Sequence, residues 1–378
     1  MKVIVSDVDS RKAFDAVNIL RLDHDLKLML CSSTGYRFPL PIIYQQKVHK
    51  LRSSTYSDFK KDLITALETD GDDEYLYLPV SEDPTLHFYR LVAEEPHLPI
   101  RYLLPRQDLF EMVRDKERFQ VYCQKNHFPV PGYFTKETLA NLQEEFRPVV
   151  AKKRIGAGSV GLRFVDTREQ LGLLQGIDID KYIVQEKIES SKSVHGAFFL
   201  CQDGVVKIYY GHERIRTFPE NGGVTVFSRA DYNEKLKRIG ENLLHSLEWS
   251  GVAMIEFIYD DSENQWKIIE LNPRLWGSVM LSEACNARIL SNYVNLLSKG
   301  KVQKNDILTN RYIRWVFPFE VLGFLRGKLR LRDFLNFTKL KICYINFTYT
   351  NYPSALLFQL FFIFNVRSVK RFLSKLLP

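Results

Sequence analysis

The sequence predicts a mixed α/β protein, in which a parallel, doubly wound first lobe is followed by an α+β region. Three features support this fold class. Strands and helices alternate over residues 1–105, which is typical of parallel sheets. A glycine-rich loop follows a buried strand at 148–152, and two apolar strands at 251–259 and 267–272 carry acidic side chains. These features indicate two or three lobes around a polar site.

The composition is that of a globular protein and leaves its partners open. The chain has 378 residues, 45% of them hydrophobic and 26% charged, which allows a sizeable core. Its net charge of +8 is compatible with nucleic acid, a membrane surface or anionic substrates. Scattered cysteines without metal-ligand spacing favour a reduced, cytoplasmic protein. We expect no signal peptide, because the chain starts with a strand.

The first lobe is predicted element by element from apolar runs and helix-capping residues. The Gly-x-Gly-x-x-Gly pattern is missing after the first strand, so a dinucleotide site there is not expected. The predicted strands are at 3–5, 28–31 and 75–79, and the predicted helices at 10–22 and 57–68. Further along the chain, helices are predicted at 231–247 and 281–297.

Polar residues follow the first strand of this lobe. Ser6, Asp7 and Arg11 come at the carboxyl end of the strand, where doubly wound folds open a pocket. They either line such a pocket or only cap the first helix, and the sequence leaves both interpretations open.

The two late acidic strands read as a hairpin around a polar turn at 260–264. Antiparallel pairing would bring Glu256 near Glu270, and the period of two places Glu270 and Asn272 on one face. Carboxylate and amide oxygens are ligands that Mg²⁺ prefers. The alternative is that both glutamates are ordinary strand-edge residues. Charges inside apolar strands are costly without a partner, which favours a site, and Arg274 adds a group suited to phosphate or carboxylate.

The glycine-rich loop is the second motif. Lys152 ends a buried strand, and Gly156, Gly158, Ser159 and Gly161 follow it. Glycines let backbone N–H groups approach phosphate oxygens closely. The order of residues is not that of a Walker A loop. A tight hairpin without a ligand would use the same glycines.

The Glu-x-Asn-Pro-Arg motif at 270–274 resembles the metal-binding strand of the ATP-grasp superfamily, and within it the carbamoyl-phosphate-synthase-like carboxylate–amine ligases. The resemblance covers roughly residues 1–300. It implies an ATP-grasp fold with a Rossmann-like pre-ATP-grasp lobe, a two-lobed nucleotide cleft and a C-terminal extension. The implied divisions are 1–108 for the first lobe, 109–300 for the ATP-grasp domain with lobes at 116–190 and 191–300, and 301–378 for the extension.

The resemblance also implies roles for individual residues. Mg²⁺, or alternatively Mn²⁺, would bind Glu256, Glu270 and Asn272. Arg274, with Arg214 and Arg216, would stabilise the transferred phosphoryl group or the substrate. The family has Lys-Pro where this chain has Lys152 and Lys153, and spacing to Gly156 favours Lys152. The implied contacts to ATP are Lys116, Lys152, Gly156, Gly158, Ser159, Gly161, Glu186, Lys187, Ile188 and His195.

The implied reaction activates a carboxylate with ATP as an acyl-phosphate and transfers it to an amine. The expected partners are therefore small carboxylates and amines, with no nucleic acid. Two other readings stay open, namely a phosphotransferase with a non-carboxylate acceptor and a non-enzymatic basic protein that binds nucleic acid or membrane. The acid and the amine are not readable from the sequence, and a homodimer is the default expectation.

The basic excess is concentrated in residues 301–378. The apolar run at 355–364 is too short to span a bilayer as a helix. Residues 366–377 mix Lys and Arg with Leu and Phe, which predicts an amphipathic helix. That helix either lies on the inner face of a membrane or packs on the body of the protein.

Overall fold

The structure, a computed structural model, describes the greater part of the chain. This part consists of residues 1–22, 26–33, 39–72, 74–156, 161–174, 178–218, 222–316, 320–327, 329–334, 343–345 and 357–358.

The first lobe is a five-stranded parallel sheet with helices around it, as the alternating pattern predicts. The strand order is β3-β2-β1-β4-β5, so the direction of winding reverses between β1 and β4. The elements are β1 (Lys2–Val5), α1 (Arg11–Arg21), β2 (Lys27–Ser32), α2 (Leu40–Tyr44), β3 (Val48–Lys50), α3 (Tyr56–Asp70), β4 (Tyr75–Leu78), α4 (Glu82–Glu94) and β5 (Ile100–Arg101).

Capping residues explain where the helices of this lobe begin. Ser10 is extended and its hydroxyl accepts a hydrogen bond from the backbone N–H of Ala13, which starts α1. Thr55 does the same for α3 through Asp58. α3 ends at Gly71, whose φ of 67° lies in the left-handed region that favours glycine. The predicted strands and helices of this lobe are thus confirmed within a few residues.

Two helices lead from the first lobe into a small antiparallel sheet. Asp115 caps the second of them by accepting hydrogen bonds from the N–H groups of Glu117 and Arg118. The sheet has the order β6-β9-β7-β8. The elements are α5 (Gln107–Arg114), α6 (Lys116–Lys125), β6 (Tyr133–Phe134), α7 (Lys136–Leu139), β7 (Val149–Lys153), β8 (Arg163–Val165) and β9 (Tyr182–Glu186).

A larger sheet follows, with the order β14-β13-β10-β11-β12-β15-β16. The last two strands come from the C-terminal segment, and β15 pairs antiparallel with β12 and parallel with β16. Part of this segment therefore extends the large sheet. The elements are β10 (His195–Gln202), β11 (Val205–Phe218), β12 (Val224–Asp231), α8 (Glu234–Ser246), β13 (Gly251–Asp260), β14 (Gln265–Asn272), α9 (Met280–Ala284), α10 (Ile289–Lys299), β15 (Tyr312–Arg314), α11 (Val321–Leu325), α12 (Leu331–Phe334) and β16 (Cys343–Ile345).

Two predicted helices differ from those observed. The helix expected over 281–297 is broken into α9 and α10, because Asn286 and Arg288 have positive φ values of 66° and 47°. The helix expected from Asp231 begins only at Glu234, because Asp231 still belongs to β12 and Asn233 supplies the cap.

The first lobe and the large sheet share one hydrophobic core. Val3 and Val17 of the first lobe belong to the same buried cluster as Phe198, Tyr210 and Trp276. The lobes are therefore held in a fixed relation by burial of apolar surface. The apolar run at 355–364, except for residues 357–358, and the predicted helix at 366–377 lie outside the described residues. Among the described helices, none has the length and apolar character needed to cross a bilayer.

Candidate active site

The predicted nucleotide residues face a cleft of about 400 Å³ between the small and the large sheet. Its polar lining includes Lys116, Lys152, Lys153, Glu186, Arg214, Glu256, Glu270, Asn272 and Arg274. Residues from the first lobe, from the small sheet and from the large sheet therefore meet in one space, although more than 150 positions separate Lys116 from Glu270 along the chain.

The acidic hairpin forms one wall of the cleft. Glu256 of β13 lies directly opposite Glu270 of β14, and Met254 lies opposite Asn272. The Asn272 amide donates to Glu270 Oε1 at 2.8 Å. The hairpin thus brings two carboxylates and an amide to one face, as the strand period predicts.

Cations surround both carboxylates. Arg214 forms an ion pair with Glu256, and Lys116 Nζ lies 3.4 Å from Glu270 Oε2. Burial raises the pKa of Glu256 even though Arg214 opposes the shift. Burial also acts to raise the pKa of Glu270, but Lys116 and Asn272 outweigh this effect, so the pKa is lowered. The pKa values of the two facing carboxylates shift in opposite directions, because a negative charge on one disfavours a second negative charge so close to it.

The donor set fits Mg²⁺ bound together with phosphate. No cluster of three or more His, Cys, Asp or Glu side chains suited to a metal occurs in the described part of the chain. Mg²⁺ usually takes only one or two protein carboxylates and completes its shell with water and substrate phosphates. Glu256, Glu270 and the Asn272 amide match that requirement. Bound metal would have to displace Arg214 and Lys116 from the carboxylates.

The side of the cleft predicted to bind phosphate is formed by Lys116 and the strand β7. Lys116 Nζ donates to the Gly156 carbonyl at 2.9 Å, which ties α6 to the start of the glycine-rich loop. Burial lowers the pKa of Lys152 to about 8, while Glu270 opposes the shift. The Lys153 side chain lies instead against Gly161, where an added Cβ would be 2.9 Å from Lys153 Cε.

The glycines of the loop differ in what the structure describes. Gly158 and Ser159 lie outside the described residues. Gly156 lines the cleft and has a φ of 148°, and Gly161 has a φ of 78°, both in the region that favours glycine. Gly161 packs against Lys153 and Tyr182 and is not among the cleft-lining residues, so it shapes the turn.

The predicted adenine contacts lie at the end of β9. The N–H groups of Glu186 and Lys187 donate to the carbonyls of Gly132 and Pro148, both at 2.9 Å. Both backbone N–H groups therefore already have acceptors within the protein. The Lys187 ammonium forms an ion pair with Asp166 at 2.6 Å. The apolar part of the cleft wall has the character needed to sandwich a base, and consists of Val150, Leu162, Phe164, Ile188, Ile258 and Ile269.

Arg274 is held by three acceptors at the edge of the cleft. Its Nε donates to Glu82 at 3.0 Å, Nη2 to Asn272 at 2.9 Å and Nη1 to the Leu275 carbonyl at 2.9 Å. Glu82 stands in the first turn of α4 and belongs to the first lobe. Arg274 thus fixes the Asn272 side chain and links the end of β14, the strand predicted to bind metal, to that lobe.

Besides Gly161, two predicted site residues lie outside the cleft, which corrects the prediction. His195 is paired with Phe257 in register, one position from the pair Gly196–Glu256, so its side chain projects from the opposite face of the sheet. There its Nδ1 contacts the Ser193 carbonyl at 2.9 Å, and Nε2 lies 3.5 Å from Asp231.

Arg216 is the second correction. Arg214 and Arg216 are two positions apart in β11 and would share a face of a regular strand, but the register of β11 shifts between them. Arg216 pairs with the buried Glu320, which Arg314 also contacts. Arg216 therefore belongs to a structural charge cluster, whereas Arg214 lines the cleft.

The sequence prediction missed several residues of the site. Glu82 gave no signal, because an acidic residue in the first turn of a helix is common. His212 and Ser278 line the cleft, and the Ser278 hydroxyl lies 3.2 Å from His212 Nδ1. Their position follows from strand parity, since His212 pairs with Gly196 and so lies on the face of Glu256.

Residues 113–278 match the family model described as an ATP-grasp domain. The chain therefore carries an ATP-grasp domain, as its sequence motifs predict. It is 26% identical over 190 residues to the D-aspartate ligase of Enterococcus faecium (strain Aus0004), which covers 44% of this chain and 45% of that protein. The chain spans less than half the length of each curated relative that it matches, with shares of 6%, 45% and 7%.

Solved structures show the same fold. A biotin carboxylase–β-γ-ATP complex from Campylobacter jejuni has a TM-score of 0.62 at 16% identity and covers 82% of this chain and 74% of that one. The biotin carboxylase domain dimer of the Hydrogenobacter thermophilus 2-oxoglutarate carboxylase, in complex with MgADP, ADP and bicarbonate, has a TM-score of 0.60 at 16% identity. It covers 82% of this chain and 73% of that one.

Proposed function

We propose that this protein is an ATP-dependent, ADP-forming ligase that activates a carboxylate as an acyl-phosphate and joins it to an amine. The observation that carries the proposal is the meeting of Glu256, Glu270 and Asn272 with Lys116 and Lys152 in one cleft. The similarity to a D-aspartate ligase supports the same class of chemistry.

ATP would lie with its base between the apolar side chains at the end of β9 and its phosphates toward the hairpin. Lys116 and Lys152 would neutralise the phosphate oxygens, and Gly156 would offer its backbone. Mg²⁺, or Mn²⁺ in its place, would be held by Glu256, Glu270 and Asn272 and would reduce the negative charge of the phosphates. Glu186 would remain the contact to the adenine amino group.

The first step transfers the γ-phosphoryl group of ATP to an oxygen of the substrate carboxylate. The P–O bond to ADP breaks, the new P–O bond forms, and ADP leaves. Arg214, which pairs with Glu256 in the cleft, would offer its charge to the transferred group if Glu256 held a metal ion. Charge neutralisation and positioning are the main contributions that a protein makes to such a step.

The second step joins the amine to the activated acid. The amine nitrogen attacks the acyl carbon, the bond to phosphate breaks, and the proton lost by nitrogen leaves with the phosphate. Arg274 is held by Glu82 and Asn272 at the edge of the cleft, where its charge favours the departing phosphate.

Trapping with hydroxylamine tests this reaction without knowledge of the natural amine. Wild-type protein with Mg-ATP, hydroxylamine and a panel of small acids should form hydroxamate and ADP in equal amounts. Glu256→Gln should lower the rate by at least about 100-fold. Glu145→Gln, at an exposed position far from the motif, is the matched control. Phosphorylation of an alcohol without hydroxamate would instead indicate a phosphotransferase.

We also propose the cytoplasm as the location, with small carboxylates and amines as partners and no nucleic acid. The described cysteines Cys31, Cys123, Cys201 and Cys285 are buried free thiols, which supports a reducing compartment. The division into lobes at 108 and 300, a homodimer and membrane contact of the C-terminal segment stay predictions.

A further inference from the structure

The end of the cleft next to the first lobe has three polar residues without a role in the proposed binding of ATP and metal, namely Arg11, His212 and Ser278. Arg11 stands in the first turn of α1, just after the carboxyl end of β1, at the point where the winding of the first sheet reverses. It lines the same cleft as Glu256 and Glu270. Its guanidinium lies 4.6 Å from the ring centroid of Trp315, so the first lobe reaches the large sheet here.

Gly277 makes room for this arginine. A Cβ added at Gly277 would lie 2.5 Å from Arg11 Nη2, so only glycine lets the guanidinium lie against the backbone after the metal strand. Ser278 follows, and its hydroxyl contacts His212 Nδ1 at 3.2 Å. Arg11, Ser278 and His212 therefore all line the cleft near the end of β14.

Donor atoms at this end are buried without a hydrogen-bond partner among the described residues. They are Arg11 Nη1, His212 Nε2 and Arg214 Nε. Burial lowers the pKa of His212 well below its ordinary value, so the imidazole is neutral and carries one N–H. When Ser278 donates to Nδ1, that N–H is on Nε2. A buried donor without a partner costs free energy, which an anionic ligand would recover.

The charges near Arg11 indicate which sign of charge a ligand must carry. Asp15, one helical turn on, balances Arg11 but is itself buried, which raises its pKa to about 7, and it is not among the cleft-lining residues. Among the described residues that line the cleft, the acids are Glu186, Glu256 and Glu270, at the proposed nucleotide and metal positions. An arginine in the first turn of a helix adds to the positive end of the helix dipole. An ammonium group would be repelled, and a carboxylate would be attracted.

We propose that Arg11, with His212, binds a second anionic group of the acid substrate, and that the substrate is therefore a diacid. This inference rests on the proposed ligase function. The reacting carboxylate must lie beside the γ-phosphate at the metal residues, so it cannot also occupy Arg11. The Arg11 guanidinium holds the second carboxylate in a bidentate contact. The diacid therefore spans the distance between Arg11 and the predicted metal residues. Arg11 is thus a residue that determines specificity.

Matched acids and two variants test this proposal. Hydroxamate formation is measured with succinate against propionate, and with aspartate against alanine in both enantiomers. Wild-type protein should favour a diacid over its monoacid homologue by at least about tenfold in kcat/KM. Arg11→Gln should raise KM for that diacid about 10–100-fold with kcat nearly unchanged, because the lost contact is equal in ground and transition states.

Gly277→Ala provides a second, milder variant. The new methyl group pushes Arg11 Nη2 aside without removing the charge, so KM for the diacid should again rise while the protein stays folded. Arg90→Gln, in the same lobe and mostly exposed, is the control. Mg-ATP binding, measured by calorimetry, should be equal in all four proteins.

The outcomes separate this proposal from the ligase proposal. Activation of monoacids as fast as diacids, an unchanged KM in both variants, or Mg-ATP binding without hydroxamate from any diacid overturns the role of Arg11. Failure of the wild-type protein to bind Mg-ATP overturns the ligase function, and this inference with it.

Discussion

Arg274 and Glu82 are 192 positions apart, yet Arg274 Nε donates to Glu82 Oε1 at 3.0 Å. Glu82 also accepts from Arg114 Nε at 2.8 Å. One carboxylate of the first lobe thus holds two arginines, one of which orients Asn272 through a 2.9 Å hydrogen bond. The metal strand is positioned by the first lobe as well as by its own hairpin.

Removal of this carboxylate should impair both stability and catalysis. Glu82→Gln is expected to lower the free energy of unfolding by about 1–3 kcal/mol, because two partly buried guanidinium groups lose a charged acceptor. The rate kcat should fall more than the affinity for ATP, since Asn272 loses its support. Urea unfolding and steady-state kinetics measure the two effects. Glu111→Gln on the exposed side of α5 is the control, and equal behaviour of both variants would contradict this role.

The question of which lysine contacts phosphate has a direct test. Lys152 interacts electrostatically with Glu270 and Lys116, whereas Lys153 packs against Gly161. Lys152→Ala should therefore weaken Mg-ATP binding at least about tenfold, which corresponds to about 1.4 kcal/mol. Lys153→Ala should change it by less than about threefold. Calorimetry on both variants measures the two affinities for Mg-ATP. A larger loss of affinity in Lys153→Ala than in Lys152→Ala would assign the phosphate contact to Lys153.

The hairpin and the strands could be predicted from the sequence because they depend on neighbours along the chain. Period-two alternation and a polar turn place Glu256 opposite Glu270 whatever the rest of the fold does. Contacts of Glu82 and Arg11 depend instead on how lobes pack, and no local pattern encodes that. The juxtaposition of the hairpin carboxylates is therefore predictable from the sequence, and the residues that support them are not.

The incorrect predictions have separate causes. Strand parity assigns His195 to the face opposite Glu256, so the alternation along β10 excludes it from the cleft. The register shift in β11 that separates Arg214 from Arg216 contains no glycine, so the sequence does not indicate it. Likewise, Asn286 and Arg288 adopt positive φ inside a segment whose apolar pattern is helical. In these cases tertiary packing outweighs local preference.

The two arginines of β11 should separate stability from function. Arg216→Met removes one partner of the buried Glu320 and should lower the free energy of unfolding by about 1–3 kcal/mol, with unchanged KM for ATP. Arg214→Met should reduce hydroxamate formation with a smaller loss of stability, because Arg214 lies in the cleft. Chemical denaturation and the trapping assay compare them. A loss of activity in Arg216→Met without loss of stability would refute the correction.

The turn of the metal hairpin should make stability depend on pH. Lys267 Nζ lies 2.8 Å from Asp260 Oδ2, and both side chains are buried. Burial acts to raise the Asp260 pKa, but hydrogen bonds from Lys267 and Ser262 outweigh it and lower the pKa to about 2. The unfolded value is about 4. The stabilisation is therefore present above about pH 4 and is lost as pH falls toward about 2.

Asp260→Asn tests this dependence. The variant should be less stable at pH 7 by about 1–2 kcal/mol, and the difference from wild type should shrink below about pH 4. Urea midpoints between pH 3 and pH 7 measure it, with Glu145→Gln as the exposed control. A difference that is constant with pH would show that the carboxylate charge does not stabilise the turn.

Mg-ATP binding to the hairpin residues is the central claim, and calorimetry tests it most directly. Wild-type protein should bind Mg-ATP, and Glu270→Gln combined with Asn272→Ala should raise the Mg²⁺ concentration needed for half-saturation at least about tenfold. ATP without metal should bind the double variant no more weakly than wild type, because Lys116 and Lys152 lose a competing carboxylate. Equal Mg²⁺ requirements in the two proteins, or no binding of Mg-ATP by the wild type, would contradict the assignment of this cleft.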